Sequence, residues 1–116
     1  MKQSKVEQQF LFLKDFARLI FKAEELKFMV TGGELMRTQE MQDLYLQTGK
    51  TTIKHSKHMD RMAGDLNFFK NGVLTYKKEE VQILGDYWED LSPQNEWGGN
   101  WVSFQDTPHF QRNEIK

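Results

Sequence analysis

GDLNFFKNGVLTY, residues 64–76, is the stretch that decides the architecture. Across residues 64–69 the side chains alternate. Asp65 and Asn67 fall on one face, Leu66 and Phe68 on the other, which is the period of a half-buried strand. Asn71-Gly72 follows, a dipeptide that accepts the positive φ angles of a two-residue hairpin turn, and residues 73–76 supply the returning strand. An antiparallel hairpin therefore occupies the middle of the chain.

Outward from the hairpin the pattern becomes mixed. Residues 27–31 read as a short strand closed by Gly32-Gly33. Between that strand and the hairpin, Thr38 can cap a helix with Glu40 near its positive end, Met41, Leu44 and Tyr45 on its inner face, and Gly49 at its end. Val6, Phe10, Leu13, Ala17 and Ile20 recur at spacings of four and three. They predict an amphipathic helix over residues 3–24 whose apolar face packs on the sheet, with membrane binding as the lesser alternative. After the hairpin, Val81, Leu84, Trp88 and Leu91 mark a third helix that stops before Pro93, and residues 101–111 read as irregular and then strand. The order is helix, strand, helix, hairpin, helix, strand. It predicts an α+β fold with a small antiparallel sheet packed with helices, without internal repeats or linkers.

The bulk numbers narrow the function. The 116 residues suit a single domain over 1–116, and 38% hydrophobic with 28% charged residues is the composition of a folding chain. A net charge of −1 makes no electrostatic case for nucleic acid. The absence of Cys rules out disulfides and thiolate metal sites, so any metal must be held by His and carboxylate, a donor set that leans toward catalysis. No apolar stretch is long enough for membrane insertion, and MKQSKVEQQF does not read as a signal peptide, so the expected location is a cytoplasm.

The chain has three His: His55, His58 and His109. Seven residues of helix rise roughly 10 Å, so His58 and Asp65 in SKHMDRMAGD can meet one ion only if the chain doubles back between them. The small pair Ala63-Gly64 permits close approach there. Without such a reversal, Asp65 reads as a solvated carboxylate on an edge strand. In DTPH, residues 106–109, Pro108 bends the path and can aim Asp106 and His109 into one cleft. The plainer alternative is a turn started by Asp106 with His109 incidental.

These segments resemble a known family. SKHMDRMAGD is similar to the S-x-H-x-x-G-x-A-x-D signature of the M15 zinc peptidases: Ser56, His58, Ala63 and Asp65 match, and Arg61 stands where the signature has Gly. MRTQEMQDLY, with Arg37, Thr38 and Gln39, resembles the family's arginine segment. WGGNW (97–101) and DTPHF (106–110) resemble the W-G-G-x-W and D-x-x-H-F stretches of the phage L-alanyl-D-glutamate endopeptidase branch. The wall carboxypeptidase and dipeptidase branches carry Glu where this chain has Asp106.

The resemblance implies a Hedgehog/DD-peptidase-like fold and a catalytic Zn2+ held by His58, Asp65 and His109, with an open position for water. It implies Asp106 as general base and then acid, Arg37 as the stabiliser of developing negative charge, and Ser56, Trp97 and Trp101 as substrate contacts, with a salt bridge near the second helix as the plainer alternative for Arg37 and core packing as that for Trp97 and Trp101. Tyr45 is a weaker candidate, and His55 lies outside the motif as a surface or supporting residue. The implied partner is the stem peptide of bacterial peptidoglycan, cut between L-Ala and D-Glu by a monomer that waits in a phage's host cytoplasm for a membrane lesion. The competing expectations are a D-Ala-D-Ala carboxypeptidase or dipeptidase of the same family, and a zinc-containing wall-binding domain without hydrolysis.

Overall fold

The computed structural model describes residues 3–51 and 56–115. Within these, the elements run α1 (Lys5–Glu25), β1 (Phe28–Gly32), α2 (Gln39–Thr48), β2 (Ala63–Lys70), β3 (Val73–Thr75), α3 (Lys78–Leu91), β4 (Asn95–Trp97) and β5 (His109–Arg112), with a 3-10 turn at Gly98–Asn100. The fold is α+β, as the element order predicts. The sheet is antiparallel, in the order β1-β2-β5-β4, with β3 also paired to β2.

Strand β2 is the spine of this sheet. One edge pairs with β1, from Phe28↔Lys70 to Gly32↔Leu66. The other edge is shared: β3 takes residues 68–70 and β5 takes residues 63–65. At the β3 end, Asn71 (φ 52°) and Gly72 (φ 78°) make the hairpin turn that the sequence calls for. At the β5 end, Asp65 lies directly opposite His109.

Alternation along β2 divides the molecule. Leu66 and Phe68 point into a core with Phe12, Phe16 and Leu19 of α1, Val81, Leu84 and Trp88 of α3, and Phe110 of β5. Asp65 and Asn67 face the other side, half-buried. The core is aromatic: Trp88 stands edge-on to Phe12 (5.7 Å between centroids) and to Phe110 (5.8 Å). Burying each such side chain stabilises the fold by roughly 1.5–3 kcal/mol. Asp65 thus sits on the face of the sheet opposite the core.

The caps follow expectation. Thr38 Oγ1 accepts from Met41 N at 3.2 Å, and Gly49 ends α2 in the left-handed region at φ 79°. Ser4 forms a capping box with Glu7 at the start of α1.

Two expectations need correction, and one strand was not foreseen. First, α1 turns the other way. Val6 is 72% and Phe10 62% exposed, and Leu13, Ala17 and Ile20 are also exposed, while Gln8, Phe12, Asp15, Phe16, Leu19 and Ala23 are buried. The true inner stripe contains two polar residues, and both find partners far along the chain: Ile115 N donates to Gln8 Oε1 (2.7 Å), and Asn95 Nδ2 donates to Asp15 Oδ2 (3.2 Å). Second, on α2 Met41 and Leu44 are exposed and Tyr45 half-buried, and the fully buried residue is Gln42. The unforeseen strand is β4, Asn95–Trp97, where no period is long enough to announce one.

Candidate active site

The reversal that His58 and Asp65 require is a single turn of chain at residues 57–60, closed at Arg61. Met62 N donates to Lys57 O (3.1 Å) and Arg61 N to His58 O (3.3 Å), the paired bonds of a Schellman motif. Arg61 occupies the left-handed position at φ 59°. That is the place where a glycine is favoured, so the Gly-to-Arg departure has a conformational cost. Ala63 and Gly64 lie within β2 and do not make the reversal. Ser56 Oγ accepts from His58 N at 3.1 Å and braces the start of the turn.

The second arm is the DTPH turn. His109 N donates to Asp106 O (3.2 Å), which folds the segment so that Asp106 and His109 share one side. Asp106 N donates to Gly98 O (3.0 Å), and a Cβ on Gly98 would collide with the Asp106 carbonyl. Thr107 locks the turn from behind: its hydroxyl donates to Tyr76 O (2.9 Å), and its carbonyl accepts from Trp97 Nε1 (2.8 Å).

Together the two arms bring three ligating atoms to one point. His58 Nε2 lies 3.2 Å from His109 Nδ1, and Asp65 Oδ1 lies 3.3 Å from each ring nitrogen. Donors bound to one ion at ~2.0–2.2 Å in tetrahedral geometry are about 3.3–3.6 Å apart. The observed triangle therefore has the size of one face of such a tetrahedron. Asp65 Oδ1 is buried and makes no hydrogen bond, an orphaned acceptor at the centre of the group. His58, Asp65 and His109 can hold a metal ion.

The electrostatics agree. Burial opposes the charge on Asp65, but the His109 and His58 rings outweigh it and hold the carboxyl at about 2. Burial likewise opposes the charge on His109, but Asp65 and Gln111, facing its two nitrogens, raise its pKa. Asp106 moves upward: burial raises it, His109 pulls the other way, and the Asp65 charge adds to the rise.

The group opens into a cleft of about 570 Å³. Asp106, Arg37, Ser56 and Trp101 all line it, as does Tyr45. Arg37 lines the cleft and is held by Glu34, with Nε donating to Glu34 Oε1 at 2.6 Å, and by buried Gln42, whose Oε1 accepts from Nη1 at 2.8 Å. Trp97 departs from expectation. Its indole is fully buried between Gly85 of α3 and Gly99, where neither glycine has room for a Cβ, so Trp97 supports the site from the core and Trp101 alone of the pair walls the cleft. His55 lies outside the described residues.

Glu34 escaped the sequence reading. It accepts from Arg37 and from the Tyr45 hydroxyl (3.1 Å), and its Oε1 sits 3.8 Å from His58 Nδ1. Its position three residues before Arg37 is the only signal in the sequence, and it is a weak one.

A family model described as D-alanyl-D-alanine carboxypeptidase matches residues 48–112, more than half of the chain. The crystal structure of the Serratia marcescens L-Ala D-Glu endopeptidase ChiX superposes with a TM-score of 0.69 at 23% identity, covering 86% of this chain and 79% of that one, which establishes a shared fold. No curated protein sequence matches the chain.

Proposed function

The chain belongs to the M15 peptidase family, and from that premise we propose that it is a zinc-dependent endopeptidase that cuts the peptidoglycan stem peptide between L-Ala and D-Glu. One observation carries the reading: His58, Asp65 and His109 converge at metal-ligand spacing in a cleft that also contains Asp106. Zinc held by these three residues supplies Lewis acidity and lowers the pKa of water toward about 7.

The chain's own groups do the rest. Asp106 takes a proton from the attacking water and returns it to the departing amine. A carboxyl whose pKa burial has raised suits both halves of that task, because it releases the proton less readily into solvent than into a developing amine. Arg37 is fixed by Glu34 and Gln42 and directs positive charge into the cleft, where the scissile carbonyl becomes negative. Trp101 supplies an apolar wall.

Asp at position 106 and the WGGNW and DTPHF stretches favour the endopeptidase, and the structural neighbour ChiX is itself an L-Ala D-Glu endopeptidase. The family description favours a second reading, a D-alanyl-D-alanine carboxypeptidase. Digestion of purified peptidoglycan followed by end-group analysis separates them. New amino-terminal D-Glu supports the endopeptidase, and free D-Ala with intact stems overturns it. A zinc-loaded protein that releases neither product would be a binding domain. The proposed setting is phage lysis, with a monomer reaching the wall from the host cytoplasm through a membrane lesion. Clearing of permeabilised cells but not of intact ones, abolished by chelator, is the expected behaviour.

A further inference from the structure

Beside His109, partly along the cleft wall, runs a closed circuit of side chains. His109 Nε2 faces Gln111 Oε1 at 2.8 Å. Gln111 Nε2 donates to Asn113 Oδ1 at 2.8 Å, and Asn113 Nδ2 donates to Glu96 Oε1 at 3.3 Å. The other Glu96 oxygen accepts from Trp101 Nε1 at 2.7 Å, and the Trp101 ring returns to His109 with 5.0 Å between centroids. The register places these residues together: Glu96 of β4 lies opposite Gln111 of β5, and Gln111 and His109 share a face of β5.

The circuit has a direction. Gln111 and Asn113 carry amides that work either way round, so neither alone decides which His109 nitrogen bears the proton. A carboxylate can only accept, and an indole N–H can only donate. Glu96 therefore turns the Asn113 amide group toward itself, Asn113 turns Gln111, and Gln111 presents its oxygen to His109. His109 must then carry its proton on Nε2, which leaves the Nδ1 lone pair for the metal point.

We propose that Glu96, acting through Asn113 and Gln111, is the positioning residue that selects the metal-binding tautomer of His109, and that Trp101 fixes the polarity of the relay from its other end. The inference rests on the metal-site reading of His58, Asp65 and His109 and is independent of which bond the protein cleaves.

The test exchanges atoms without changing shape. In Glu96→Gln, the new amide oxygen must face the Trp101 N–H, so its NH2 faces Asn113. Both downstream amides then reverse, each still hydrogen-bonded, and Gln111 offers an N–H to His109 Nε2. The proton moves to Nδ1, into the metal point. The double variant combines Glu96→Gln with Gln111→Glu. There the reversed Asn113 donates to the carboxylate introduced at position 111, which again accepts from His109 Nε2–H, and net charge matches the wild type.

Zinc affinity is read by chelator competition, and the His109 tautomer by 15N NMR of the metal-free protein at alkaline pH. Glu96→Gln is expected to weaken zinc binding about 10–100-fold, the range for residues that orient metal ligands, and to move the proton to Nδ1. The double variant is expected to restore both. Unchanged affinity and an unchanged tautomer in Glu96→Gln would overturn the proposal, as would a folded double variant that remains as weak as the single one. Peptidase activity is not the readout, so a wild type that binds zinc but cleaves nothing would sink the proposed function and leave the relay standing.

Discussion

The two ends of strand β2 obey the same alternation but are assembled differently. At residues 68–70 the strand pairs with β3 through a two-residue turn, and everything needed lies within a few positions. At residues 63–65 it pairs with β5, which arrives from the far end of the chain. Two irregular turns, one at Arg61 and one at residues 106–109, aim side chains that a regular strand would not bring together. The hairpin end illustrates how cheaply a local pairing forms. The β5 end shows that a site needs contacts between distant segments, where loop-closure entropy must be overcome before any contact stabilises.

The largest effects are expected at the β5 end. His109→Ala should reduce bound zinc far below one equivalent by metal analysis and abolish turnover with it; full zinc occupancy would remove His109 from the ligand set. Asp106→Asn should retain zinc and the thermal transition while kcat falls ~10²–10⁴-fold, the usual contribution of a general base. Substantial residual activity would take the proton from Asp106 and give it to another group.

A pH titration of the chelated protein compares the ends without mutation. Asp65 is held at about 2, below its unfolded value, so its contribution is present above about pH 4 and lost as pH falls toward 2. The shift corresponds to roughly 2 kcal/mol. His109 has a raised pKa, so its contribution is present below its unfolded value and lost as pH rises through the folded one. The metal-free protein should therefore be most stable between about pH 4 and 6.5, and denaturant midpoints across pH measure this. Zinc should stabilise most above that window, where the ligands are free of protons.

Smaller effects separate the turns. Gly72→Ala, at φ 78° in the hairpin, should destabilise by about 1–2 kcal/mol and leave zinc affinity unchanged. A change in zinc affinity would show that the two ends of β2 are coupled. Arg61→Gly should do the reverse, stabilising by about 0.5–1 kcal/mol once the greater flexibility of unfolded glycine is subtracted. Both are read by chemical denaturation.

The same contrast explains what could be read in the sequence. The hairpin, the Thr38 cap, the Gly49 stop and the inner face of α3 were legible because neighbours set them. The orientation of α1 was not, because the stripe with the cleaner spacing lost to one whose Gln8 and Asp15 are satisfied by Ile115 and Asn95. His58, Asp65, His109 and Asp106 emerged from motif resemblance; spacing alone left each with an ordinary alternative. Glu34 and the chain from Glu96 to His109 stayed hidden because their meaning lies in which atom faces which: Glu34 meets Arg37, Tyr45 and His58 only in the folded chain, and the pairing of β4 with β5 brings Glu96 beside Gln111.

Trp97 was expected at the cleft and is found in the core, with its indole between Gly85 and Gly99. That placement ties the histories of three positions together. An indole at 97 and a Cβ at 85 exclude each other, as do the same indole and a Cβ at 99. Across relatives sharing this fold, alanine or anything larger at 85 or 99 is expected only where 97 has become small, so the three positions should drift as one unit even though just one of them carries an aromatic ring.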